Sequence, residues 1–265
     1  MDNTPKTPIP AAPLQAAPPK PKFKFPTEFV DLPSNGIVYP KSNPLSLGKL
    51  EMKYMTAKEE DIITNQSYIS KGIIIDKLLE ALIVTEGVDA GDLIVGDKNA
   101  LLVASRVLGY GALYKFTYGG EDYESDLSTL ENKKIDESLF IKGENKFSFQ
   151  TPHGENLIEF QLMTDKIDKK VEAELRGLKK INKNASPEMS TRMKHMILSV
   201  DGNSDKKEIR DFVDNYFLAR DAKALRDHII DFQPDVDFSF ERELSNGEIE
   251  EIDIPIGANF FFPDA

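Results

Sequence analysis

Residues 96–127 read GDKNALLVASRVLGYGALYKFTYGGEDYESDL, and the apolar spacing changes in the middle of them. Up to Gly109 it follows the helical period: Leu101, Ala104 and Leu108 share a face, Asp97 stands at the start as a cap and Gly109 at the end as a stop. Only Lys98 and Arg106 are charged between Asp97 and Gly109, which predicts a helix buried near the centre. From Ala112 the apolar residues recur at every second position. ALYKFTY, the pair Gly119-Gly120 and EDYESDL read as a hairpin. A chain that passes from helices to hairpins and back is of the α+β class.

Upstream, FVDLPSNGIVYPKSNPLSLGKLEMKYM carries turn signals at Pro33 to Gly36 and Ser42 to Pro44, then alternates, with Leu50, Met52 and Tyr54 on one face. This is a loop-rich entry ending in a strand. Thr56 lies three residues before Glu59, the spacing of a capping box, so a helix starts there, runs to Ser70 and breaks at Gly72. IIIDKLLEALIV supplies the next.

Downstream, NKFSFQTP and ENLIEFQLM flank a turn at His153-Gly154, with Phe147, Phe149, Leu157 and Phe160 as the inward positions of a second hairpin. Helical spacing returns at Asp165, where Val171, Leu175, Leu178 and Ile181 share a face. SPEMSTRMKHMIL opens another helix, with Ser186 as cap and Pro187 in first position. Ile209, Phe212, Val213, Tyr216 and Phe217 make the cleanest stripe, and Ala222, Leu225, Ile229 and Phe232 continue it as far as Pro234. VDFSFEREL and EIEEIDIPI close a third hairpin across Ser245-Asn246-Gly247. The expected plan is a mainly helical body (56–109 and 165–232) with inserted antiparallel hairpins (110–163) that project from it, and a C-terminal hairpin with an aromatic tail (235–265).

Residues 1–26 hold eight of the sixteen prolines, so neither helix nor sheet propagates there, and the expectation is a disordered leader outside the domain of residues 27–265. No apolar run approaches the roughly 18 residues that span a bilayer, and no signal-peptide stretch is seen, which places the chain in a cytoplasm. The absence of cysteine excludes disulfides and thiolate chemistry. The net charge is -12, while the leader alone is +3, from four lysines and Asp2, leaving -15 elsewhere. That balance disfavours a general phosphate-backbone binder, although an acidic accessory protein associated with nucleic acid remains the alternative reading.

No Gly-rich phosphate loop occurs, and no cofactor is expected. His153, His195 and His228 fall in three segments without ligand spacing and read as surface histidines. Asp201, Asn203 and Asp205 alternate like calcium ligands, but Lys206 and Phe212 stand where such a loop needs Gly and Glu, so DGNSDKKE reads as a helix-capping loop. Arg210-Asp211, Arg220-Asp221 and Arg226-Asp227 read as solvated ion pairs. Two apolar features invite partners. Met189, Met193 and Met196 align on one helix, and Phe260, Phe261 and Phe262 stand together near the end, so these six are the candidate partner-binding residues.

Taken together, LPSNGIVYP, LEMKYMTAKEEDIITN, GDKNALLVASRVLGYG, LARDAKALRDHIIDFQPDVDF and ANFFFPDA resemble the T-even-type phage baseplate family of hub and hub-assembly proteins, over roughly residues 27–265. The block from Met52 to Asn65 and the terminal aromatics are its most specific parts. The family's paired cysteines in the last hairpin, suggestive of a zinc ribbon, have no counterpart in FSFERELSNGEIEE, and Phe262 falls in the aromatic run where relatives often carry a Trp near the end. Zinc is thereby excluded at that place. The resemblance implies a non-enzymatic role in building the baseplate of a contractile tail, as hub component or assembly chaperone. Its partners would be other baseplate and tail proteins, met in the host cytoplasm during assembly or in the virion.

Overall fold

The computed structural model describes residues 25–182, 187–244, 247–256 and 260–261. Strand β1 (Thr27–Asp31) pairs antiparallel with β2 (Lys49–Lys53), Thr27 opposite Lys53 and Asp31 opposite Lys49. Leu50 and Met52 point into the core and are fully buried, as their alternation predicts. The reading of the entry as loop found β2 and missed β1, whose exposed residues carry no apolar alternation. The connecting residues 32–48 bury Leu32, Val38, Tyr39 and Leu45 without regular strands.

Helix α1 (Ala57–Ile63) begins as predicted: the Glu59 carboxylate accepts from the Thr56 amide (3.0 Å) and hydroxyl (2.6 Å). The single helix expected to reach Ser70 is two. Asn65 accepts from the amides of Ser67 and Tyr68 and so starts α2 (Gln66–Lys71), which Gly72 ends in the left-handed region at φ 68. After α3 (Ile74–Leu82) comes α4 (Val95–Tyr110), where two expectations need correction. Asp97 is inside the first turn rather than at the cap. The helix also runs past Gly109, where a Cβ would strike the Met55 side chain, and stops at Gly111, φ 85.

The first hairpin, β3 (Leu113–Tyr118) with β4 (Glu121–Asp126), turns on Gly119 and Gly120, both at positive φ. In the second, β5 (Phe147–Gln150) and β6 (Leu157–Phe160) place Phe147 opposite Phe160 and Phe149 opposite Ile158. Ile158 therefore shares the core face, and Leu157, expected inward, is exposed: it lies three residues from Phe160, an odd step that lands on the other face. Helix α5 (Asp165–Ile181) is capped by Thr164. Helix α6 (Glu188–Met196) gives way at Ile197 to β7 (Ile197–Val200), which pairs with β6, so the expected MIL end of that helix is largely strand. The expected cap Ser186 lies outside the described residues. Asp205 caps α7 (Lys206–Asn215), confirming the loop as a helix start, and α8 (Ala219–Phe232) leads to β8 (Ser239–Glu243) and β9 (Ile249–Asp253).

The fold is α+β, with helices around small antiparallel sheets. Its buried side chains form one connected cluster. The earlier and later helices meet directly, the Asp165 amide donating to Leu93 O (3.0 Å) and the Val95 amide to Met163 O (3.1 Å). Residues 110–163 do not stand off as a projection. Phe116 packs on Phe240 at 5.4 Å, the Arg242 guanidinium lies 4.9 Å from the Tyr118 ring, and β6 is bonded to β7. No helix among the described residues is long and apolar enough to cross a membrane.

Candidate functional site

The structure separates the six expected partner-binding residues. Phe260 is fully buried and Phe261 nearly so; the Phe260 ring packs edge-on at 5.1 Å against both Tyr114 and Phe261. The expectation that these rings engage a partner is corrected for both: they complete this chain's own core, because Tyr114 and Phe116 offer an aromatic wall that the β8–β9 hairpin alone does not cover. Phe262 lies outside the described residues. Met193 and Met196 are core residues, and of the stripe only Met189 is exposed. The helical period that aligns the methionines also turns two of them inward.

What the fold does leave open is a groove of about 330 Å³ beside β1. Its floor is α4, through Ala100, Val103, Ala104 and Val107; Leu127, Leu130 and Val236 form the far wall. The near wall is four consecutive residues, Glu28 to Asp31. Side chains of consecutive strand residues point to opposite faces, so what the four share along one groove is the strand's edge. Among the described residues that edge is free: β1 pairs with β2 alone. Small residues on α4 leave room beside the backbone. Ala104 and Leu108 were read from the sequence as a buried face with Leu101, but only Leu101 is fully buried.

A second depression of about 490 Å³ adjoins the groove at Leu130, lined by Glu124, Asp126, Glu131, Asp237 and Glu241. The Ser128 hydroxyl and amide hold the Asp126 carboxyl below the usual range, and the Ser239 amide does so for Asp237. Both are charged at neutral pH. Lys115 lies 3.8 Å from Glu124, and the charge of Lys133 acts on Asp237.

A third cleft, between α3, α4 and α5, gathers titratable groups, yet they satisfy one another. Lys98 pairs with Asp76 (3.3 Å) and Asp165, and Lys169 pairs with Asp76 (2.8 Å) and Asp165 (2.7 Å). Burial pushes the Asp165 carboxyl up, but Lys169 and Lys98 outweigh it and hold it low. This closed square joins the two helical halves. Of the histidines expected at the surface, His153 is exposed, while His195 and His228 are half-buried, and each has a neighbour. His153 Nδ1 lies 2.8 Å from buried Asp221, His195 Nε2 lies 2.9 Å from Glu174, and His228 packs against Phe149 and Phe232. Asp221 is likewise no solvated partner of Arg220; it accepts from the amides of His153 and Gly154 and anchors the second hairpin's turn to α8. Arg210 instead grips Glu174 with two bonds of 2.7 Å, which with His195 holds that carboxyl at about 2. Among the described residues, no group of three or more His, Cys, Asp or Glu side chains is arranged to hold a metal ion.

Comparison of the chain with family models, curated proteins and solved structures finds no match.

Proposed function

We propose that the protein acts through protein–protein contacts in building a phage tail baseplate, as a hub component or an assembly chaperone. The observation that supports this reading is the groove beside β1, where a free strand edge, an apolar floor and an open rim stand together. A free edge recruits extended chain by main-chain hydrogen bonds, and pockets beside it select the side chains. The resemblance of the sequence blocks to the baseplate family suggests the biological setting, with the host cytoplasm as the place of assembly. The reading includes no catalytic step.

The test is mass spectrometry of purified particles beside fractionated lysate of infected cells. A hub component is found in particles; a chaperone is found only with tail intermediates, and its loss leaves baseplates unassembled. A protein found with neither, whose loss leaves tails intact, refutes the proposal.

A further inference from the structure

The groove beside β1 and the depression that meets it at Leu130 are lined by seven carboxylates, Glu28 and Asp31 in the first and five in the second, and by no lysine or arginine among the described residues. The floor between them is apolar and made of small side chains on α4. We infer that the groove receives an extended, lysine- or arginine-bearing segment of a partner protein, added as a further strand on the free edge of β1. This deepens the protein-contact reading above and rests on it.

The geometry sets what the segment must look like. The strand β1 has five residues, and at about 3.3 Å per residue a partner of similar length follows the whole edge. Its inward side chains meet Ala100, Val103, Ala104 and Val107, whose small volumes admit branched apolar groups. The alternate side chains point outward on the face that carries exposed Asp31, and past Leu130 to Glu131 and Glu124, also exposed, while Glu28, an odd step from Asp31, borders the inward face. A segment with basic residues there gains attraction that an acidic one forfeits, so charge selects the partner and the strand edge binds it.

The probe is a fluorescent synthetic peptide alternating valine with lysine, titrated into the full chain beside a control with glutamate in place of each lysine. The lysine peptide is expected to bind at least tenfold more tightly. Asp31→Lys with Glu131→Lys, both at exposed positions, should weaken that preference severalfold, and Ala104→Arg should abolish binding of either peptide by filling the floor. Thermal melts check that each variant is folded; should Ala104→Arg fail to fold, the charge-reversed pair decides alone. Equal binding of the two peptides, no binding of either, or a preference untouched by the charge reversal overturns the inference. So does a wild-type dimer, seen by sedimentation, that Ala104→Arg dissociates, since the occupant is then a second copy. Carbodiimide links from Lys20, Lys22 or Lys24 to Glu131 within one chain overturn it as well, the occupant then being the chain itself. Peptide failure with the protein still found in tail fractions removes the groove and leaves the baseplate reading; peptide binding by a protein never found with tails does the reverse.

Discussion

Helices α4 and α5 are nearly equal in length, 16 and 17 residues, and opposite in what they bury. In α5 the apolar stripe is the sharper, yet Val171 is its only fully buried apolar side chain, and the stripe rises through half-buried Leu175 and Leu178 to Ile181, 86% exposed. In α4 the faces are poorly separated, yet Asp97, Ala100, Leu101, Val103, Ser105 and Arg106 are all buried. Periodicity reports how unevenly a helix is painted, while burial depends on how many neighbours the rest of the chain brings to it. The entry loop covers one side of α4 and the β3 end another. Among the described residues, the C-terminal half of α5 has α6 on one flank and a link to α7 through the Glu174–Arg210 pair.

The difference is testable from both sides, and the largest effect belongs to α4. The Asp97 carboxylate accepts from the Ser34 amide (2.9 Å), the Ser34 hydroxyl (2.7 Å) and the Tyr39 hydroxyl (2.5 Å), stapling the entry loop to the helix. Burial raises its carboxyl even so, against the pull of Tyr39 and Ser34. Asp97→Ala leaves three donors without an acceptor at about 1–3 kcal/mol each, so a loss of at least about 3 kcal/mol is expected in urea unfolding. Leu101→Ala should cost about 2–5 kcal/mol, and Val171→Ala about 2 kcal/mol. A Val171 variant more damaging than the Leu101 variant would break the comparison.

The next effect depends on pH. Glu174, on the exposed half of α5, is held at about 2 by Arg210 and His195, below the roughly 4.3 of an unfolded glutamate. A lowered folded value means the stabilisation is fully present above about pH 4.3 and is lost as pH falls towards 2. Its one-quarter exposure discounts the worth to about 1–2 kcal/mol at neutral pH. Glu174→Gln should therefore lower the melting temperature at pH 7 and flatten its fall between pH 4.3 and 2; an unchanged acid limb would show the pairing to be idle. The smallest effect is Ile181→Ser, expected within about 0.5 kcal/mol of wild type. A large loss there would mean that the end of α5 is covered in solution.

The same contrast shows what the sequence could convey. Local chemistry was readable: Thr56 with Glu59, Gly72, the Gly119-Gly120 turn and the Asp205 cap each act through neighbours within a few residues. Long-range geometry was not. Asp97 resembled a helix cap because its partners, Ser34 and Tyr39, lie some sixty positions away. β7 was lost in a helical run because its strand character comes from β6, and Phe260 was taken for a free anchor because Tyr114 lies far upstream. The groove has the same origin. Ala100 and Ala104 signal close approach of something to α4, but only the fold shows that β1 stops short of filling it.

The contact of Tyr114 with the end of the chain also sets a schedule. Its hydroxyl donates to Pro255 O at 2.8 Å across 141 positions, and its ring is then covered by Phe260. At about 5–20 residues per second, a ribosome needs roughly 7–28 s to deliver Pro255 after Tyr114. Throughout that interval Tyr114 is without the Phe260 ring, and until fifteen residues before its end Phe116 is without the Phe240 ring. The nascent chain thus carries an uncovered aromatic surface while many copies are being translated, and it is in that window that the β3–β4 hairpin is most open to capture by another chain or by a host chaperone.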